Sequence, residues 1–170
     1  MRDLAGKIVL ITGASGTVGT ACAEVLLDKG VRLVLTDRVA PPEHLAANPN
    51  VHFQPADVTD RAAVDVAYAT ARDRFGGIDA AVLAAGVEGP GALVRAAALE
   101  AGGDGVRVNA LCPGPIDSDM MRRLDKALSD RDPQRVRGQA DAAKALPLQR
   151  YVSALEVARM AAFLCSDDSG

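Results

Sequence analysis

The sequence predicts an α/β fold: a doubly wound parallel sheet of about five strands, helices on both faces, and one domain over residues 1–170. Three observations predict it. Short apolar runs rich in β-branched residues alternate along the chain with segments whose apolar residues recur at helical spacing. The runs at 8–11 and 78–85 lack the in–out alternation of half-exposed strands, so they read as strands covered on both sides. Glycines and short polar capping residues sit at the junctions, which separates each strand from the helix beside it.

Residues 8–11, Ile-Val-Leu-Ile, form the first strand. Thr12 to Gly19 is a glycine-rich turn. From Val18 the apolar residues Val18, Ala21, Cys22, Val25 and Leu26 share one helical stripe, and Gly30 is the stop. Val31 to Thr36 is the second strand, with Asp37 at its end. A polar connection opened by Pro41-Pro42 leads to a third strand over 51–54. Asp60 or Thr59 caps the next helix, whose apolar side carries Val64, Ala67, Tyr68, Ala71 and Phe75 before Gly76-Gly77. Residues 78–85 form a fourth strand, apolar throughout after Asp79 and therefore placed centrally. It runs into Gly86 and a loop over 87–91. A short helix over about 92–101 ends at Gly102-Gly103. Val106 to Leu111 is the fifth strand, giving a sheet order 3-2-1-4-5. Residues 116–150 read as a lid-like irregular and helical segment, with Met120, Met121, Leu124 and Leu128 at helical spacing. Ser153 and Glu156 form a capping box for a last helix through Cys165.

Composition excludes several function classes. The chain is 49% hydrophobic but 3% aromatic, with a net charge of −3. No basic patch interleaved with aromatics appears, which argues against nucleic-acid binding. No apolar run approaches the roughly 20 residues needed to span a bilayer, and the N-terminus lacks a signal-peptide pattern. Cys22, Cys112 and Cys165 are odd in number and far apart, with neither a disulfide framework nor a metal-ligand spacing. They fit a reducing cytoplasm, where the chain is expected to reside.

The first strand, the turn and the following helix have the order of a Rossmann-like phosphate cradle. Such a turn gathers unpaired backbone N–H groups and the positive helix end at one point, where a pyrophosphate can sit. Asp37 lies 18 residues after Gly19, where a carboxylate can accept hydrogen bonds from adenosine ribose hydroxyls. It would also repel a 2′-phosphate, so NAD is favoured over NADP. Arg38 beside it can pair with that phosphate or stack on adenine. The loops 12–19, 37–38, 57–58, 84–88 and 113–118 all fall at the carboxyl ends of strands, which makes that rim the expected ligand crevice.

These residues resemble the short-chain dehydrogenase/reductase family. The resemblance is carried by Thr12-Gly13-Ala14-Ser15-Gly16-Thr17-Val18-Gly19, Asp37, Asp57-Val58, Ala85-Gly86, and residues 106–118, which read VRVNALCPGPIDS. It implies an NAD(H)-dependent oxidoreductase that moves hydride between a nicotinamide and a small alcohol or ketone. It also implies roles. Gly13, Ser15, Gly16 and Gly19 belong to the turn, and Thr17 and Val18 lie against the pyrophosphate and nicotinamide ribose. Asp57 and Val58 hold the adenine. Ala85 and Gly86 pass close to a ribose, and Pro113, Gly114, Ile116 and Ser118 line the nicotinamide.

The chain also departs from the family pattern. Thr17 stands where the commonest turn has glycine, and Leu83-Ala84 stands where two asparagines are usual. Similar chains insert a helix, a strand with a catalytic serine and half a helix bearing Tyr-x-x-x-Lys between Gly86 and Leu93. Here Tyr68 is followed four residues on by Arg72, and Tyr151 by Leu155, so no catalytic residue is assigned. The same missing helices build the family's subunit interface, so a homo-oligomer would be weakened. Three readings stay open: an oxidoreductase with its catalytic segment absent, a catalytically inactive dinucleotide-binding sensor or interaction module, and another Rossmann-type protein such as a methyltransferase.

Overall fold

The apolar runs become strands because each can be covered by a helix stripe of matching length. A computed structural model describes residues 3–86, 91–131 and 139–170. Strands β1 (Ile8–Thr12), β2 (Arg32–Asp37), β3 (Val51–Pro55) and β4 (Ala80–Leu83) pair in the order β3-β2-β1-β4. Every pairing is parallel. The helices are α1 (Thr17–Leu27), α2 (Glu43–Ala46), α3 (Arg61–Phe75), α4 (Gly91–Ala101), α5 (Asp119–Arg131), α6 (Gln139–Lys144) and α7 (Ala154–Cys165).

The register divides the core into two layers. Val9 pairs with Leu33 and Ile11 with Leu35. These four side chains face one side, where they join Cys22, Ala23 and Leu26 of α1, Leu45 of α2, and Ala158, Ala161 and Ala162 of α7. Leu10 and Val34 face the other side, against Ala67 and Ala71 of α3. Asp60 caps α3 by accepting the Ala62 N–H, and Gly76 ends it at φ 96°. Tyr68, read in sequence as part of the buried stripe, is exposed.

Two expectations about the sheet need correction. β4 is the sheet edge, not a central strand. Ala80 and Val82 join the α1/α7 layer, but Ala81 and Leu83 point to the side where α3 covers the other strands, and Leu83 is 72% exposed. An apolar run records that a strand can be covered, not that a neighbour exists to cover it. Residues 106–111 do not form the fifth strand. They lie along α7, where the Arg107 guanidinium donates to the Ser166 carbonyl (3.0 Å) and to the Ser169 hydroxyl. Leu111, Cys112 and Pro113 border a cavity of about 210 Å³ with Val152, Glu156, Val157 and Met160 of the α7 side. The segment is held to the α7 side and makes no ladder with β4.

No described helix is long and apolar enough to cross a membrane.

Candidate functional site

The turn after β1 is built by contact as well as by conformation. Gly13 has φ 66°, and a Cβ there would lie 2.6 Å from the Ala85 nitrogen. A Cβ on Gly19 would lie 2.1 Å from the Gly13 carbonyl oxygen. Glycine at both positions lets the turn fold onto β4 and onto the first turn of α1. The Gly16 N–H donates to the Gly13 carbonyl (3.1 Å), and the Thr20 hydroxyl donates to the Ala14 carbonyl (3.0 Å).

The amino end of α1 is left open. Its N-cap, Gly16, offers no side-chain oxygen, and its first turn holds no acidic residue. Helical bonding starts where the Thr20 N–H donates to the Gly16 carbonyl (2.9 Å). The N–H groups of Thr17, Val18 and Gly19 therefore have no acceptor within the helix. Unpaired N–H groups with the positive helix end behind them have the chemistry to receive an anion.

Asp37 turns its carboxylate to this loop. Its Oδ2 accepts the Ser15 N–H (3.1 Å), while Oδ1 accepts the Arg38 N–H (2.7 Å) and the Val39 N–H (3.5 Å). The Ser15 hydroxyl closes the connection by donating to the Val39 carbonyl. A carboxylate has about four acceptor positions, so Asp37 braces the turn and can still accept from a ligand hydroxyl. The next loop is tied to the same point: the Ala56 N–H donates to the Asp37 carbonyl (3.1 Å). Asp57 accepts both the N–H (2.9 Å) and the hydroxyl (2.7 Å) of Thr59. Those two bonds, with the Arg38 charge adding to them, hold its carboxyl below the usual carboxylate range. Val58 beside it is exposed.

The end of β4 meets the turn through Thr12. The Thr12 carbonyl accepts the Ala84 N–H (3.1 Å), and its hydroxyl oxygen accepts the Ala85 N–H (3.3 Å). Gly86 is exposed, with nothing within 4 Å of a Cβ placed there. Residues 12–19, 37–39, 56–58 and 84–86 thus gather at one end of the parallel sheet. Thr12 opened the turn in the sequence but was given no role of its own there, and Val39 was not singled out. A polar residue ending an apolar strand is the signal for Thr12; nothing local signals Val39.

The loop 113–118 is held from elsewhere. Ile116 bridges to Val152: the Val152 N–H donates to the Pro115 carbonyl (2.9 Å) and the Asp117 N–H to the Val152 carbonyl (2.9 Å). Ser118 caps α5, its hydroxyl oxygen accepting the Met121 N–H (3.2 Å). Pro113 and Gly114 are exposed. Helix α7 places this loop. It packs along α1, and its far end is fixed at the amino edge of the sheet by the Lys7–Asp167 ion pair (2.6 Å). Twelve residues of helix span about 18 Å, so its beginning, with Val152 and Ile116, lies toward the carboxyl rim. The beginning itself is rigid. Ser153 and Glu156 form the capping box, and Arg150 grips Glu156 with two bonds (2.9 and 2.6 Å). The Arg150 guanidinium, then the Ser153 N–H and hydroxyl, pull the Glu156 carboxyl down to about 2. The predicted loop residues 87–90 lie outside the described residues.

Comparison with known proteins gives a consistent result. A short chain dehydrogenase model matches residues 7–93, and an enoyl-(acyl carrier protein) reductase model matches residues 88–170. The oxidoreductase UcpA of Salmonella typhimurium is 29% identical over 241 aligned positions, which cover 99% of this chain and 91% of that protein. With 170 residues in this chain, at least 71 of those positions hold no residue of it. The human 3-hydroxyacyl-CoA dehydrogenase type-2 is 37% identical over 89 residues, 51% of this chain and 34% of that one. Among solved structures, ligand-free aldohexose dehydrogenase of Thermoplasma acidophilum superposes with TM-score 0.83 at 21% identity, covering 98% of this chain and 89% of that one. L-Sorbose reductase of Gluconobacter frateurii, complexed with NADPH and L-sorbose, gives TM-score 0.81 at 22% identity, with coverages of 96% and 90%.

Proposed function

Since the chain belongs to the short-chain dehydrogenase/reductase family of oxidoreductases, we propose that it binds NAD(H) at the carboxyl rim of its sheet and, with the residues it has, does not turn over. One observation carries the binding reading: the open amino end of α1 faces out beside a carboxylate that is already hydrogen-bonded to the same turn. The residues present fit a dinucleotide. The N–H groups of Thr17, Val18 and Gly19 would take the pyrophosphate. Asp37 would take the adenosine ribose hydroxyls, with Arg38, Asp57 and Val58 around the adenine. Ala85 and Gly86 would border a ribose, and Pro113, Gly114, Ile116 and Ser118 would border the nicotinamide. A bound nicotinamide supplies a hydride donor or acceptor for an alcohol or ketone. Ser15 serves by position, joining the turn to β2.

NAD(H) is favoured over NADP(H) because a 2′-phosphate would place negative charge against the Asp37 carboxylate. The absence of turnover rests on the residues themselves. Neither tyrosine has a lysine four residues on, the spacing that the family's acid–base chemistry uses. A dinucleotide-binding sensor or interaction module is the second reading, favoured by the 71 or more relative positions that have no counterpart here.

Fluorescence titration of the purified chain with NADH tests the proposal. Saturable binding is expected, weaker for NADPH. Replacing Asp37 by Ser should cost about tenfold in NADH affinity, the scale of one hydrogen bond to a charged group, and narrow the gap to NADPH. No NADH binding would overturn the reading. Steady turnover of NAD with a panel of small alcohols would overturn the catalytic half alone.

A further inference from the structure

Helix α5 is attached to the body of the protein in an inverted way. Three of its apolar residues, Met120, Leu124 and Leu128, recur every four residues and are 63%, 47% and 43% exposed, while Met121 is half-buried. Among its described side chains the most buried is a carboxylate, Asp125, at 8% exposure. The Tyr151 hydroxyl points at that carboxylate, 3.1 Å from Oδ2 and 3.4 Å from Oδ1. Burial, and then the Asp125 carboxylate, push the tyrosine hydroxyl up from its usual range.

We propose that Asp125 and Tyr151 are positioning residues whose hydrogen bond closes a ring around the loop 113–118. The ring can be followed bond by bond. Ile116 is bridged to Val152. Ser118 begins α5 by capping the Met121 N–H, and Arg122 pairs with Asp117 and with Asp119 (2.8 Å). Two helical turns after Ser118, Asp125 reaches Tyr151, which is the neighbour of Val152. Every other side of the ring is backbone or is held by the Arg150–Glu156–Ser153 clamp. The Asp125–Tyr151 bond is therefore the side that can open without unfolding α7. When it opens, α5 swings from Ser118, and Ile116 and the loop before it are left on the Val152 bridge alone. A polar anchor suits this role because it holds a helix in one orientation but contributes little general burial, unlike an apolar stripe. That the loop so held borders a nicotinamide rests on the function proposed above; the ring itself does not.

Backbone hydrogen exchange followed by mass spectrometry on the full chain tests the ring without nucleotide. In Tyr151→Phe the buried carboxylate loses its donor. Exchange over 115–131 should rise about tenfold or more, while β1 and β2 keep their wild-type rates. Asp125→Asn should act in the same direction, and the double variant should be no faster than the stronger single one, since both remove one interaction. Unchanged rates over 115–131 in both single variants would overturn the proposal. So would an equal rise in β1 and β2, which is general destabilisation. Should Tyr151→Phe fail to fold, Asp125→Asn carries the same readout. A second arm adds NADH. Wild-type affinity retained in a variant whose α5 has loosened would overturn the positioning role. A wild-type chain that binds no NADH would remove the nucleotide reading and leave the exchange result standing.

Discussion

Replacing Gly19 by alanine sets two effects of opposite sign against each other. In an ordinary helix the change is favourable by about 1 kcal/mol, because alanine restricts the unfolded chain. At Gly19 the new Cβ would sit 2.1 Å from the Gly13 carbonyl oxygen and 2.7 Å from the Ala14 Cα. Since Cβ atoms keep at least 3.0 Å from such neighbours, backbone must move by about 0.9 Å. Both neighbours are main chain, so no side chain can yield. Overpacking of this kind costs about 1–3 kcal/mol. The displaced carbonyl also accepts the Gly16 N–H, and losing that bond adds about 1 kcal/mol. The balance is a loss of about 2 kcal/mol. With a urea slope of about 1–3 kcal/mol per molar, the unfolding midpoint should fall by about 1 M, and NADH binding should weaken with it because the anion surface is distorted. Gly103→Ala is the control: a Cβ there meets nothing within 4 Å, and the midpoint should hold or rise slightly. A Gly19→Ala chain as stable as wild type, with undiminished NADH binding, would refute the claim that close approach shapes this turn.

Other outcomes can be measured directly. Ser153→Ala removes the cap of α7 and should lower stability by about 1 kcal/mol in urea unfolding. Glu156 has its carboxyl depressed from 4.5 to about 2. Its contribution is therefore complete above pH 4.5 and is lost as pH falls through about 2; the stability gap between wild type and Glu156→Gln should close across that window and stay constant above it. Cys22 is buried in the α1/α7 layer, which pushes its thiol up to about 11, whereas Cys112 is exposed. Brief alkylation at pH 8 should label Cys112 and spare Cys22, and early mass addition at Cys22 would contradict the packing. Leu83→Lys, on the uncovered side of the edge strand, should change stability by no more than about 0.5 kcal/mol and reduce light scattering at high concentration.

Local chemistry made much of this architecture readable. The strands at 8–12, 32–37 and 51–55 fall within a residue of the segments that announced them, and in β1 and β2 the apolar run is explicit because both faces are covered. The Asp60 cap, the Gly76 stop and the Ser153–Glu156 box were visible because each is settled by residues three or four apart. Residues 78–85 and 106–111 were misplaced for a shared reason: whether an apolar run is central, at an edge or unpaired depends on neighbours that lie elsewhere in the chain. The short helix at 43–46 was hidden in a polar connection. Within the candidate site, the turn glycines and Asp37 could be named from spacing. That Asp37 accepts the Ser15 N–H could not, nor could the Asp125–Tyr151 bond. Both join residues more than 20 positions apart and leave no periodic trace.

The buttressing of α1 by α7 bears on how the protein is made. The helix with the open amino end is supported by residues about 140 positions later in the chain, and the interface is close because it is lined by Ala158, Ala161 and Ala162. While the chain is being synthesised, the first two strands and α1 emerge long before their support exists, and the last helix must clear the ribosome before that layer can close. Until then the side of α1 that Ala158, Ala161 and Ala162 cover stays open to water, so this layer closes after the strands it rests on have been made.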